Sequence, residues 1–142
     1  MARSKLVVDY KFDFHLFGLI CDLKEYRLAW LLNRQLGIHL IKQKDIEYEF
    51  LNDEKILVSN YLFETDNAQF RLLKNKSENK NPERIAYLLP ELHKFDFFII
   101  KHGILDGKED VNFFSRIRDI DEIQYITSFD ISKIKSKENL IF

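Results

Sequence analysis

Cys21 is the only cysteine in the 142-residue sequence, so it is the first residue to weigh as a nucleophile. It stands just before a predicted helix start, where the positive end of a helix lowers a thiol pKa. Its neighbours Leu19, Ile20 and Leu23 read instead as the setting of a buried small hydrophobe, and no base is identifiable beside it. The histidines, His15, His39, His93 and His102, are scattered without HxH or HxxxH spacing. With one cysteine and no histidine pair, the sequence predicts no metal site and no internal disulfide. Gly18, Gly37, Gly103 and Gly107 are isolated, so neither a Walker-type nor a dinucleotide-binding glycine pattern exists. No cofactor is predicted. Asp45, Glu47 and Glu49 recur at a spacing of two and share one strand face. They read as a solvated face that discourages edge pairing, with a cation or a basic partner as the alternative. Lys24, Arg27 and Arg34, with Leu31 beside them, read as the wet side of a helix or as a docking surface for an acidic partner.

The elements that must position these groups follow from periodicity. Leu6 to Tyr10 reads as a first strand, and Phe12 to Ile20 is apolar but ambiguous. Asp22-Leu23-Lys24-Glu25 spells a capping box, predicting a helix that runs to about Leu36 and stops at Gly37. On a helical wheel, Leu28, Ala29, Leu32 and Leu36, together with Tyr26 and Trp30, are assigned to one broad buried arc. The period then changes from 3.6 to 2. Ile46, Tyr48 and Phe50 alternate with acids, and further strands are predicted over Lys55–Phe63, Ala68–Lys74 and Arg84–Leu89. The stretch Lys74–Glu83 between the last two is a polar loop. Phe95 to Lys101 is apolar on both faces and belongs at the centre of a sheet. Asp106 opens a second helix with Val111, Phe113, Phe114 and Ile117 inward and Arg116 and Arg118 near its end; Ile123–Phe129 is the last strand. The apolar end, Leu140-Ile141-Phe142, is expected to dock or to meet a partner.

Apolar residues make up 46% of the chain and charged residues 32%, a globular composition at single-domain size. The 22 basic and 23 acidic side chains leave a formal charge of −1, with no broad field to gather nucleic acid or anionic lipid. No segment has the ~20 apolar residues of a membrane span, and charged residues interrupt the N-terminal stretch where a signal peptide would need its apolar run. The expectation is one cytoplasmic α+β domain over residues 1–142: a mainly antiparallel sheet of about six or seven strands with two helices packed on one face. An antiparallel sheet can also stack single-stranded RNA on exposed aromatics, for which Tyr61, Phe63, Phe70 and Tyr87 are the candidates. The surrounding strand positions are not especially basic, however, and the Ile46–Phe50 strand is acidic, which assigns those rings to the core beneath the helices.

The segment Leu89-Pro90-Glu91-Leu92-His93-Lys94-Phe95-Asp96-Phe97 resembles the motif of the IPExxxVDY family of small bacterial proteins. Pro90, Glu91 and Asp96 match it outright, while Leu89, Phe95 and Phe97 replace Ile, Val and Tyr. Leu23-Lys24-Glu25-Tyr26-Arg27 with Trp30, and the ending Lys137 to Phe142, resemble the same family. The resemblance implies a bacterial, cytoplasmic, single-domain protein and no particular activity. Within the motif, Pro90 ends a strand and Glu91 caps the following turn. Asp96 is an acid inside an apolar strand, which must face solvent or find a partner, with Arg27 and Arg84 as candidates. Three readings result. The first is a non-enzymatic interaction or adaptor domain working through a protein partner or self-association. The second is a small-ligand or enzymatic pocket formed by Glu91 and Asp96 with Tyr26. The third is the RNA platform. The candidate binding residues are Tyr26, Arg27, Arg34, Glu91 and Asp96.

Overall fold

Among the described residues, β-branched and aromatic side chains recur in eight segments that pair, and each of these pairings is antiparallel. The computed structural model describes residues 12–49, 55–78, 85–103 and 107–141, with side chains in the last stretch from Asn112 onward. The strands are β1 (His15–Ile20), β2 (Ile41–Lys42), β3 (Ile46–Glu49), β4 (Lys55–Val58), β5 (Asn60–Glu64), β6 (Ala68–Lys74), β7 (Phe97–Gly103) and β8 (Tyr125–Phe129). Six form one sheet in the order β2-β5-β6-β7-β1-β8, and β3 and β4 form a separate pair. Helices α1 (Glu25–Leu36) and α2 (Gly107–Arg118) complete an α+β fold.

β7 carries the pattern expected of a central strand. It lies between β6 and β1, and Phe97 through Lys101 are all buried. Because side chains alternate across a strand, Phe97 and Ile99 enter one core while Phe98 and Ile100 enter another. The first core lies under the helices, where Leu28, Ala29, Leu32 and Leu36 of α1 and Phe113 and Ile117 of α2 meet the sheet. The two helices are also tied to each other: Gln35 donates to the Arg116 carbonyl (2.9 Å) and Arg116 donates to the Gln35 carbonyl (2.6 Å). The second core is on the opposite face. It is covered by β4 (Ile56, Val58), by Leu88 and Leu89, and by the chain end at Ile131, Ile134 and Leu140. The apolar terminus therefore docks on its own sheet through Leu140; Phe142 lies outside the described residues.

Several local expectations are corrected. The helix does not open on Asp22: Lys24 is the N-cap, with extended backbone and no side-chain cap. Residues 21–24 are needed as the link from β1, so the first helical carbonyl is that of Lys24, which accepts from Arg27 and Leu28. The predicted stop holds, for Gly37 takes the left-handed conformation (φ 66°) and donates to the Asn33 carbonyl. The long strand predicted from Lys55 is real but divided, since Ser59 separates β4 in the small sheet from β5 in the main one. Arg84–Leu89 forms no strand in its described part, only a single bridge between Tyr87 and Lys76, before a 3₁₀ turn at Pro90–Leu92. The predicted strand at Leu6–Tyr10, the residue Arg84 and the cap at Asp106 lie outside the described residues.

Candidate functional site

The wheel assignment of α1 is wrong for two residues. With 3.6 residues per turn, Tyr26 and Trp30 lie roughly 100° and 150° from the centre of the buried arc. They project outward, 64% and 47% exposed, on the same side as Arg27 and Arg34. Leu31, taken as an exception on the wet side, is partly buried against the helix-side core. Trp30 is flanked by both guanidinium groups, Arg27 at 4.8 Å and Arg34 at 5.5 Å from its ring centroid. Residues three and four apart on a helix are neighbours, which is how positions 27, 30 and 34 build this stack. Arg27 reaches Glu122 only at 3.9 Å, with both side chains about half exposed, and such a pair is weak. Among the described residues, Arg34 makes no salt bridge.

Asp96 stands just ahead of β7 and is exposed. Its partner is a backbone amide rather than Arg27: Oδ2 accepts from the Cys21 N–H at 3.0 Å. Its own N–H donates to the Leu19 carbonyl (2.8 Å), and its carbonyl accepts from the Asn75 N–H (3.0 Å). The carboxylate is thus fixed from both flanking segments, and among the described residues its second oxygen accepts no hydrogen bond. Asn75, fully buried, organises the rest of the motif. Its side-chain nitrogen donates to the carbonyls of Leu92 (3.0 Å) and Phe95 (2.8 Å), and its oxygen accepts from the Leu89 N–H (3.0 Å). One side chain does the hydrogen bonding that a strand ladder would otherwise do for residues 88–96.

A cavity of about 330 Å³ opens beside Asp96, with Asp22, Lys76, Tyr87, His93 and Phe95 among its walls. Cys21 lines it too, but burial, reinforced by the negative charge of Asp96, pushes its thiol up to about 12. That thiol is protonated at neutral pH and is not an activated nucleophile. Glu91 is not in this cavity and neither is Tyr26. Glu91 instead holds the chain end, its Oε1 accepting from the Ser136 N–H (3.1 Å) and hydroxyl (2.5 Å). Partial burial works to raise its pKa, but these two bonds and Lys135 outweigh that and leave it below the ordinary glutamate value. The five residues singled out from sequence therefore fall in three places: Tyr26, Arg27 and Arg34 on α1, Asp96 at the cavity, and Glu91 at the terminal clip.

The remaining chemistry is structural in character. Glu47 and Glu49 share the Lys55 ammonium at 3.3 and 3.4 Å, and Asp45 pairs with Lys42 at 3.1 Å. Phe70 is fully buried, Tyr61 and Phe63 pack against the helix-side core, and Tyr87 lines the cavity. Burial lowers the His102 pKa, and among the described residues its Nε2 has no hydrogen-bond partner. Among the described residues, no three His, Cys, Asp or Glu side chains gather as a metal site, and no helix is long and apolar enough to cross a membrane. Sequence reasoning missed Trp30 as an outward group, although its spacing from Leu28 and Leu32 carried that signal. It also missed Lys76 and His93, which reach the cavity through the Tyr87–Lys76 bridge and a Tyr87–His93 ring contact (6.0 Å). No protein-family model matches the chain. No curated protein matches it either.

Proposed function

We propose that the chain is a non-enzymatic protein-interaction domain whose α1 outer face receives an acidic segment of a partner protein. The observation that carries this reading is Trp30, exposed and held between two guanidinium groups, with Tyr26 alongside. Trp, Tyr and Arg are the residues that dominate interface hot spots, and here they occupy one helix face. Stacking on Trp30 limits the freedom of both arginines, so less side-chain entropy is lost on binding. Carboxylates of a partner would complement Arg34, which makes no ion pair among the described residues, and Arg27, whose contact with Glu122 is long. The cavity residues belong to a separate surface and play no part in this contact.

The test is comparative capture by tagged wild type, Trp30→Ala, Arg34→Glu and a distant surface control, Ile85→Ser. A partner held through an acidic segment is lost with both α1 variants, is kept by the control and is released by salt. Truncating a central interface Trp typically costs ≥2 kcal/mol, roughly a thirtyfold loss of affinity. Equal recovery by all four proteins excludes the α1 face. Recovery of only untagged copies of the chain, again dependent on Trp30, replaces the acidic partner with self-association.

A further inference from the structure

We propose that the cavity beside Asp96 binds an aromatic α-amino acid as its zwitterion. Charged groups of both signs line it, Asp22 and Asp96 against Lys74 and Lys76, and of the two lysines Lys74 is already paired with Glu78 (2.6 Å). On one side, Asp96 is fixed by three hydrogen bonds that leave one carboxylate oxygen uncommitted among the described residues, and Asp22 lies one residue from the Cys21 amide that Asp96 holds. On the other, Lys76 follows Asn75, the residue hydrogen-bonded to the Asp96 backbone, and forms no ion pair among the described residues. An anion and a cation that line one cavity, with no ion pair between them among the described residues, are both answered by a ligand carrying the reverse pair. The ligand ammonium meets Asp96 and its carboxylate meets Lys76. Tyr87 and His93, in ring contact at 6.0 Å, and Phe95 give aromatic walls for the ligand's ring. The volume of about 330 Å³ is at the small end for ligand pockets and suits a single amino acid. This site is independent of the α1 face, so each proposal fails or stands alone.

The test is an amide-resolved NMR titration of the full chain with L-phenylalanine to about 10 mM, a range that covers millimolar affinity. Phenylalaninamide lacks the anion and N-acetylphenylalanine lacks the cation, and both are titrated in parallel. The expected result is saturable movement of the Cys21, Lys76, Tyr87 and Asp96 amides with phenylalanine, at least tenfold weaker with either derivative. Asp96→Asn keeps an oxygen to accept from Cys21 while removing the charge, and Lys76→Gln alters a side chain that makes no hydrogen bond among the described residues. Each is expected to weaken binding about tenfold or more, in keeping with loss of one charge-assisted bond. No saturable movement overturns the proposal. Tight binding of one derivative alone also overturns it, since one charge would then suffice. Unchanged binding by folded Lys76→Gln removes the assigned cation.

Discussion

Replacing Asn75 by alanine is expected to cost about 4–6 kcal/mol of folding stability, from roughly 1 kcal/mol for each of three lost side-chain bonds plus the 1–3 kcal/mol penalty of a buried orphan. Three bonds disappear: those to the carbonyls of Leu92 and Phe95 and that from the Leu89 N–H. Their consequences differ. The Leu92 carbonyl still accepts from the Phe95 N–H at 3.0 Å, so it is not stranded. The Leu89 N–H belongs to a fully buried residue and loses its acceptor. The loss is a large share of the 5–15 kcal/mol typical of a domain. Urea unfolding followed by far-UV circular dichroism measures it, with slopes compared to check two-state behaviour. Asn75→Asp sharpens the test. It keeps the acceptor for Leu89 but turns an oxygen toward two carbonyls, so near neutral pH it should be at least as unstable as alanine. A loss below about 1 kcal/mol for alanine would refute the view that this side chain substitutes for a strand ladder.

Other outcomes follow from single contacts. Gly18→Ala should destabilise by about 1–3 kcal/mol through overpacking, because a Cβ there would lie 2.5 Å from the Phe129 ring and 2.8 Å from Phe95; unchanged thermal stability would show that both rings move aside freely. Cys21 should resist Ellman's reagent in the native protein and react in guanidinium, and rapid native labelling would contradict its burial and raised pKa. The Glu91 clip has a lowered folded pKa, so its contribution is present above the ordinary value of 4.5 and is lost as pH falls through the lowered one. Ser136 amide protection should fall in that acid range for wild type; in Glu91→Gln it should lack that step, and an identical profile would remove Glu91 as its cause.

Strand alternation and the apolar run at Phe95–Lys101 made most of the sheet legible, because periods of 2 and 3.6 are fixed by backbone geometry. The end of α1 was legible in Gly37. Its start was not, since Asp22 to Glu25 fits a capping box locally while the link from β1 requires those residues in extended form. Ser59 carries no sequence mark of a break, for a transfer between sheets depends on where β3 and β6 lie. The site was less readable. Asp96 was recognisable as an acid needing a partner, but a backbone amide 75 positions away in sequence has no side-chain signature. Glu91 and Asp96 lie close in sequence yet face different structures, because the 3₁₀ turn and the bonds to Asn75 redirect the chain between them.

The place of β1 in the sheet has a consequence during synthesis. Both of its neighbours, β7 and β8, come from the second half of the chain. β1 is complete at Ile20, but its first partner begins at Phe97. At ~5–20 residues per second, its apolar residues wait several seconds outside the ribosome before either edge can be paired. Over that interval β5 and β6 can form their hairpin, but the centre of the sheet cannot close. The nascent chain should therefore engage holding chaperones through the Leu16–Ile20 segment until β7 has emerged, and slower translation should lengthen that engagement.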